Sequence, residues 1–201
     1  MFVQVVRFLL MAAVKMLVGA NPRWVEAAPS LAQSIYFTNH TSHMDTLALW
    51  AALPHDIRAK MRPVAANDYW GRSKLRRFVA IKVLNAVLIN REVAAHSNPL
   101  EPMLAALQAG DSLIIFPEGT RGTAAEPADF KGGLYSLAQR FPQVALIPVY
   151  LDTLHLSMPK GSFFPVPLIC TVRFGGAIQL QSDEPKKVFL ARARDAILAL
   201  I

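Results

Sequence analysis

The chain has 201 residues, of which 53% are hydrophobic and 17% charged, with 21 Lys and Arg against 14 Asp and Glu. This length favours one domain with a sizeable core, and so apolar a composition excludes intrinsic disorder. A single cysteine, Cys170, excludes an internal disulfide framework, and no apolar run reaches the ~20 residues of a membrane-spanning helix.

Residues 1–20 predict a strongly apolar helix with a narrow polar stripe. At the helical spacing Gln4, Arg7 and Lys15 fall on that stripe, and the other positions are almost all apolar. Such a helix is suited to lie among the headgroups of a membrane. A cleaved signal peptide ending near Ala20 and an ordinary core helix are the alternatives. We expect a membrane-associating helix over residues 1–20 and a folded domain over 21–201.

The positive charge is concentrated in the first half of the chain. Residues 1–91 hold 12 Lys and Arg against 4 Asp and Glu, and the basic residues are densest between 72 and 82. Such a patch suits phosphate, in anionic lipid or in a phosphorylated metabolite, although a solvated helix face has the same composition. No zinc-finger spacing, RNP aromatic signature or helix-turn-helix accompanies the charge, so we expect no nucleic-acid partner.

Beyond residue 21, short apolar runs alternate with helical patterns. The predicted strands cover residues 34–38, 63–66, 86–89, 112–116, 144–151 and 169–174. The predicted helices lie around 47–50, over 69–83, 99–109 and 131–141, and from a Ser182 cap to residue 201. This alternation indicates an α/β fold with a central, largely parallel or mixed sheet flanked by helices. In such folds functional groups lie in loops that follow the strands.

The first loop rich in reactive groups follows the strand at 34–38. A carboxylate from Asp45 can reach back to His40, fix the tautomer of its imidazole and leave the other ring nitrogen as a base. Since the chain has no G-x-S-x-G nucleophile motif, the base would activate a hydroxyl of the substrate. Two alternatives remain, a purely structural capping pair and a metal site formed by His40, His43 and Asp45.

The second such loop, residues 116–122, follows the strand at 112–116. It contains two glycines, the hydroxyl of Thr120 and the guanidinium of Arg121. Glycines let backbone N–H groups approach an anion closely, and a guanidinium binds phosphate through two parallel hydrogen bonds. The loop therefore predicts an anion site, with a plain glycine-rich turn as the alternative.

Together these loops resemble the conserved blocks of the glycerolipid acyltransferases, the family of the 1-acyl-sn-glycerol-3-phosphate acyltransferases. The matching blocks occur in the family's order: N-H-x-x-x-x-D at Asn39, His40 and Asp45; an apolar strand ending in arginine at 87–91; F-P-E-G-T-R-G at 116–122; F-K-x-G at 130–133; and an apolar strand with proline at 146–149. The chain departs from the family at Asn85, where a glycine is usual, and at Asn90, where aspartate is frequent.

The resemblance implies an acyltransferase domain over residues 21–201 and a role for each matching residue. His40, oriented by Asp45, would deprotonate the 2-hydroxyl of lysophosphatidic acid, which attacks acyl-CoA or an acyl-carrier protein without an acyl-enzyme. This chemistry involves no cofactor and no metal. Thr41 or nearby backbone amides would stabilise the oxyanion. The remaining implied groups bind the acceptor: Arg91, Arg121 and Lys131 at its phosphate, and Glu118, Gly119 and Thr120 around its pocket.

The resemblance also implies partners and a location. They are a lysophospholipid acceptor, an acyl thioester and a membrane surface with anionic lipid, at the cytoplasmic face of the inner or plasma membrane. Three other functions stay open: acylation of another lysolipid such as lyso-ornithine lipid, a noncatalytic lipid-binding module, and a metal-dependent phosphoesterase that uses His40, His43 and Asp45.

Overall fold

A β-sheet of seven strands organises the part of the chain that the structure describes. The structure is a computed structural model and describes residues 1–26, 28–42, 44–90, 98–122, 124, 126–152 and 169–201. The strands are β1 (Asn21–Trp24), β2 (Ser34–Thr38), β3 (Met61–Ala66), β4 (Val87–Ile89), β5 (Ser112–Ile115), β6 (Ala145–Leu151) and β7 (Thr171–Phe174). They lie in the order β1-β7-β6-β2-β5-β3-β4.

Helices cover both faces of this sheet. They are α1 (Phe2–Val18), α2 (Asp45–Ala52), α3 (His55–Ala59), α4 (Asn67–Trp70), α5 (Lys74–Phe78), a π-helical turn (Val79–Val83), α6 (Glu101–Gln108), α7 (Gly133–Arg140) and α8 (Lys186–Leu198). One apolar cluster joins α1, α2 and the π-helical turn to the sheet, and a second joins α6, α7 and α8 to the opposite face. Along β2, Tyr36 belongs to the first cluster and Ile35 and Phe37 to the second, as alternation along a strand requires.

The strand directions confirm the predicted largely parallel sheet. Of the strand pairs described, only β6–β7 is antiparallel. At the centre β2 pairs with β5, with Ile35 opposite Leu113 and Phe37 opposite Ile115. Because these two strands are parallel and in register, the loops that follow them leave the same edge of the sheet side by side. The loop after β2 carries His40, and the loop after β5 carries Glu118 and Arg121.

Two predicted elements differ from those observed, and one observed strand was not predicted. The helix predicted over 69–83 is interrupted, because α4 ends at Trp70 and Ser73 caps α5 by accepting a hydrogen bond from the Arg76 amide. The closing helix begins at Lys186 instead of after a Ser182 cap, since Asp183 adopts a left-handed conformation with φ 56°. Strand β1 was not predicted because it contains Pro22, which is tolerated here at the edge of the sheet.

Helix α1 packs on the core along one side only. Val14 and Val18 are buried against α2, and the Arg7 guanidinium donates to the carbonyl oxygens of Lys82 and Val83 at 3.1 and 2.6 Å. Arg7 therefore faces the domain. The polar stripe of the predicted helix suggests instead that this cation faces away from the domain. The other side exposes large apolar residues: Phe2, Val5, Phe8, Leu9 and Met16. Among the described residues, none of the helices combines the length and apolar character needed to cross a bilayer.

Candidate active site

The loop after β2 is fixed to the sheet by the side chain of Asn39. Its Nδ2 donates to the carbonyl oxygen of Leu151 at 3.1 Å, and its Oδ1 accepts from the Leu151 amide at 2.9 Å. Asn39 is 1% exposed, so these bonds are shielded from water. The amide side chain thus continues the pairing between β2 and β6 for one more residue and directs the chain out of the sheet at His40.

His40 and Asp45 form the predicted pair. Oδ2 of Asp45 lies 2.8 Å from Nδ1 of His40, and the Asp45 side chain is fully buried. The same oxygen accepts hydrogen bonds from the amides of Thr41 and Ser42 at 2.7 and 2.8 Å, so it holds the backbone of the loop as well as the imidazole. A carboxylate acceptor requires a proton on Nδ1, so Nε2 is left as the basic nitrogen. The His40 side chain is 22% exposed and borders a cavity.

These hydrogen bonds alter one expectation. Because the amides of Thr41 and Ser42 donate to Asp45, they are not available to an oxyanion. The hydroxyl oxygen of Thr41 is buried and has no hydrogen-bond partner among the described residues, and Thr41 does not line the cavity. Asp45 is also the first residue of α2, so the helix predicted around 47–50 begins at the residue that contacts His40.

The loop after β5 holds His40 at three points. The ring of Phe116 stacks on the imidazole with 4.1 Å between ring centroids and 28° between planes. Oε1 of Glu118 accepts from the His40 amide at 2.7 Å, and the Gly122 amide donates to the His40 carbonyl oxygen at 2.8 Å. The ring, the N–H and the C=O of the proposed base are therefore all contacted by one loop.

Glu118 is buried behind the wall of the cavity and does not line it. The residue is 4% exposed, and its second oxygen, Oε2, accepts from the Ala128 amide at 2.9 Å. Burial raises the pKa of the Glu118 carboxyl, and the two backbone hydrogen bonds oppose that rise. The structure thus gives Glu118 two backbone partners, and the residue does not line the cavity. The family resemblance, in contrast, implies that Glu118 lies around the pocket of the acceptor.

A cavity of about 480 Å³ opens beside His40, and its lining has two distinct parts. The polar part comprises His40, Asn90, Gly119, Thr120, Arg121 and Lys131. The apolar part lies between α6, α7 and the sheet and includes Val64, Ile89, Leu100, Met103, Ile115, Leu134 and Leu137. A ligand with an anionic head and a hydrocarbon chain suits this division.

Two cationic side chains belong to the polar part. One nitrogen of Arg121, Nη1, is buried and has no hydrogen-bond partner among the described residues. Lys131 crosses the chain at Gly119, where a Cβ atom would lie 2.9 Å from its Cδ, and Gly119 has φ 71°. The positive φ favours glycine at this position, and a larger residue would also require the Lys131 side chain to move. Both cationic side chains therefore line the same cavity as His40.

Most of the predicted site residues are brought together in this way. His40, Gly119, Thr120, Arg121 and Lys131 line the cavity. Asp45 and Glu118 stand behind His40, while Arg91 and His43 lie outside the described residues.

The remaining cavity residues were harder to predict from the sequence. Tyr69 and Trp70 line it from α4, within what the sequence suggested was one basic helix. Asn67 donates from Nδ2 to Oδ1 of Asn90 at 2.9 Å, which joins α4 to the residue that follows β4. The aromatic pair at 69–70 was the one local clue, since aromatic side chains are common in ligand cavities.

Comparison with known proteins identifies similar chains. A family model described as Acyltransferase matches residues 23–152. A 1-acyl-sn-glycerol-3-phosphate acyltransferase from Cocos nucifera is 27% identical over 84% of this chain and 53% of its own length. One with the same name from Limnanthes douglasii is 25% identical over 79% of this chain and 57% of its own. The chain thus spans little more than half the length of these curated relatives.

The fold is also found in a solved structure. The crystal structure of the 1-acyl-sn-glycerophosphate (LPA) acyltransferase PlsC from Thermotoga maritima aligns with a TM-score of 0.75. The alignment covers 98% of this chain and 78% of that chain, at 18% sequence identity. This likeness extends over nearly the whole chain, so α1 and the sheet share their arrangement with that protein.

Proposed function

Because the chain belongs to the Acyltransferase family, we propose that it transfers an acyl chain from a thioester to the 2-hydroxyl of 1-acyl-sn-glycerol-3-phosphate, giving phosphatidic acid. The observation that carries this proposal is the His40–Asp45 pair beside a cavity that also contains Arg121. A base next to an anion site and an apolar chamber suits an acceptor with a hydroxyl, a phosphate and an acyl chain.

The proposed reaction is a direct transfer. Nε2 of His40 takes the proton of the acceptor hydroxyl while its oxygen attacks the thioester carbonyl, and the imidazolium formed is stabilised by Asp45. The C–S bond then breaks as the ester C–O bond is kept, and the proton passes from His40 to the departing thiolate. The donor is acyl-CoA or acyl-carrier protein, and these steps need no cofactor besides that co-substrate.

The acceptor phosphate is assigned to Arg121 and Lys131. Both side chains line the polar part of the cavity, and the unpaired Nη1 of Arg121 gives that guanidinium a donor for a ligand. Gly119 and Thr120 shape the turn that presents these cations. Arg91, which lies outside the described residues, is retained as a second arginine at the phosphate on the strength of the family resemblance alone.

The same proposal places the protein on a membrane surface. The exposed apolar side of α1 meets α5 through Phe2 and Phe78, whose ring centroids are 6.3 Å apart. Helix α5 exposes Leu75 among basic residues, and the Arg76 guanidinium lies 4.6 Å from the ring centroid of Tyr69, which lines the cavity. An apolar and basic surface thus extends to the active site, as an enzyme acting on lipids in an anionic leaflet requires.

The location follows from the same reasoning. We assign the protein peripherally to the cytoplasmic face of the inner or plasma membrane, where acyl-CoA and acyl-carrier protein are present.

Products formed from a panel of lysolipids, offered with either donor and identified by mass spectrometry, test the acceptor. We expect lysophosphatidic acid to be acylated most rapidly, and preference for lyso-ornithine lipid would contradict the proposed acceptor.

A further inference from the structure

Glu118 connects the two loops of the candidate active site through their backbones. One carboxylate oxygen accepts from the amide of His40 at 2.7 Å and the other from the amide of Ala128 at 2.9 Å. In the opposite direction, the amide of Gly122 donates to the carbonyl oxygen of His40 at 2.8 Å. The backbone of His40 is thus held on both its polar groups by the segment that contains Glu118.

These contacts leave Glu118 without a group to offer a substrate. Both oxygens have backbone donors, the residue is 4% exposed, and it does not line the cavity. A ligand could reach either oxygen only by displacing one of these two backbone hydrogen bonds. Any action of Glu118 on the reaction must therefore pass through the residues that it holds.

We propose that Glu118 is a positioning residue, which fixes the imidazole of His40 in the cavity by binding the His40 amide, and that it does not contact the acceptor. This inference rests on the proposed acyl transfer and assigns a role within it. The geometry requires an acid at this position, because two N–H groups point at two separate oxygens. Glutamine has the same shape but only one acceptor oxygen, so it leaves one of the two amides facing an NH2 group.

The position of Glu118 also couples the base to the anion site. Glu118 binds the amide of His40, and Gly122 binds its carbonyl oxygen. The turn between Glu118 and Gly122 carries Arg121. An acceptor phosphate bound at Arg121 is thereby placed at a fixed distance from the base. Displacements of about 1 Å between reacting groups cost on the order of 100-fold in rate, so this connection acts on catalysis and much less on affinity.

The test is the variant Glu118→Gln, with Glu184→Gln as its matched control. Glu184 is also a largely buried glutamate with internal partners, accepting from Gln181 and Arg192, and it lies outside the cavity. For Glu118→Gln we expect kcat to fall about 10–100-fold with KM for lysophosphatidic acid unchanged within about threefold. Glu184→Gln should lower the melting temperature at least as much while keeping kcat.

Slow hydrolysis of acyl-CoA by water separates this inference from the proposed function. Hydrolysis uses the base without the acceptor, so Glu118→Gln should reduce it by the same factor as transfer. A raised KM with unchanged kcat would make Glu118 an acceptor ligand and overturn the inference, as would equal kcat losses in both variants. If no lysolipid is acylated, the proposed function fails, while the effect of Glu118 on hydrolysis still decides its positioning role.

A spectroscopic measurement on the wild-type protein tests the hydrogen bond between the His40 amide and Glu118 directly. With the histidines labelled by nitrogen-15, the amide proton of His40 should resonate downfield of that of the exposed His55, because its hydrogen bond to Glu118 is short, at 2.7 Å. In Glu118→Gln this resonance should move upfield, and in Glu184→Gln it should not. A His40 amide proton at an ordinary shift in the wild-type protein would contradict the proposed bond.

Discussion

A single oxygen of Asp45 orients the imidazole of His40 and also binds the backbone of the turn between the two residues. Oδ2 lies 2.8 Å from Nδ1 of His40 while it accepts the amides of Thr41 and Ser42. Asp45 is in addition the first residue of α2, where a negative charge interacts favourably with the helix dipole. The carboxylate that orients the imidazole is therefore held in place by the fold of its own loop.

Replacing this carboxylate tests the pair directly. Asp45→Asn keeps the shape of the side chain but removes the charge and one acceptor, so we expect kcat to fall about 10²–10⁴-fold. Asp56→Asn is the control, because Asp56 pairs with His55 at 3.1 Å in a fully solvent-exposed position. It should leave kcat unchanged in a thiol-release assay. Similar kcat in both variants would show that the His40–Asp45 pair is structural.

The anion site is tested by Arg121→Lys. Lysine keeps the positive charge but cannot form two parallel hydrogen bonds with a phosphate, so kcat/KM for lysophosphatidic acid should fall about 10–150-fold. Hydrolysis of acyl-CoA by water should not change. Arg140→Lys, an exposed arginine at the end of α7, is the control and should behave as the wild type. Arg91→Lys should act in the same direction as Arg121→Lys.

Two leucines of nearly equal exposure test the membrane surface. Leu75 on α5 is 73% exposed and Leu31, which precedes β2, is 71% exposed. Leu75→Glu adds a negative charge among basic residues, so binding to vesicles with anionic lipid should weaken clearly, whereas Leu31→Glu should bind normally. Co-sedimentation measures both. Equal binding by the two variants would exclude α5 from the surface that contacts the bilayer.

These point changes are preferable to removal of residues 1–20. Because Val14 and Val18 are part of the core, the deletion would expose apolar surface as well as remove the outer side of α1. We still expect the deletion to move the protein from membrane to soluble fractions. An unchanged binding to vesicles would show that α1 serves the core alone.

The single cysteine should be unreactive in the folded protein. Cys170 is fully buried, and burial raises the pKa of its thiol to about 12, so almost no thiolate is present at pH 8. A thiol reagent should modify Cys170 only after denaturation, and Cys170→Ala should retain acyl transfer. Rapid modification of the native protein, or loss of transfer in the variant, would reopen the question of an acyl-cysteine intermediate.

The sequence was sufficient for the centre of the fold. Strands β2 and β5 each contain three consecutive apolar residues, at 35–37 and 113–115, and a loop with several polar residues follows each, so both strands and loops could be predicted. Edge elements were harder to predict, because Pro22 argues locally against a strand and only the position of β1 at the margin of the sheet makes it acceptable.

The roles of individual side chains in the site depended on contacts that are distant in sequence. His40 and Asp45 are five residues apart, so their pairing could be predicted from spacing. Glu118 binds an amide 78 residues away, and Asn39 binds the backbone of Leu151, 112 residues away. Within residues 116–122 nothing distinguishes a glutamate that faces a ligand from one that supports another loop, so the position of Glu118 could be learned only from the folded chain.

The central claim is that His40 acts as the general base for transfer of an acyl group to the hydroxyl of lysophosphatidic acid. Mass spectrometry of the products formed from acyl-CoA and lysophosphatidic acid tests it, with wild-type protein and His40→Ala compared at equal concentration. We expect phosphatidic acid from the wild type and a rate lower by about 10²–10⁴-fold in the variant, the usual effect of removing a general base. Phosphatidic acid formed at the wild-type rate by His40→Ala would contradict the claim, as would wild-type protein that leaves lysophosphatidic acid unacylated.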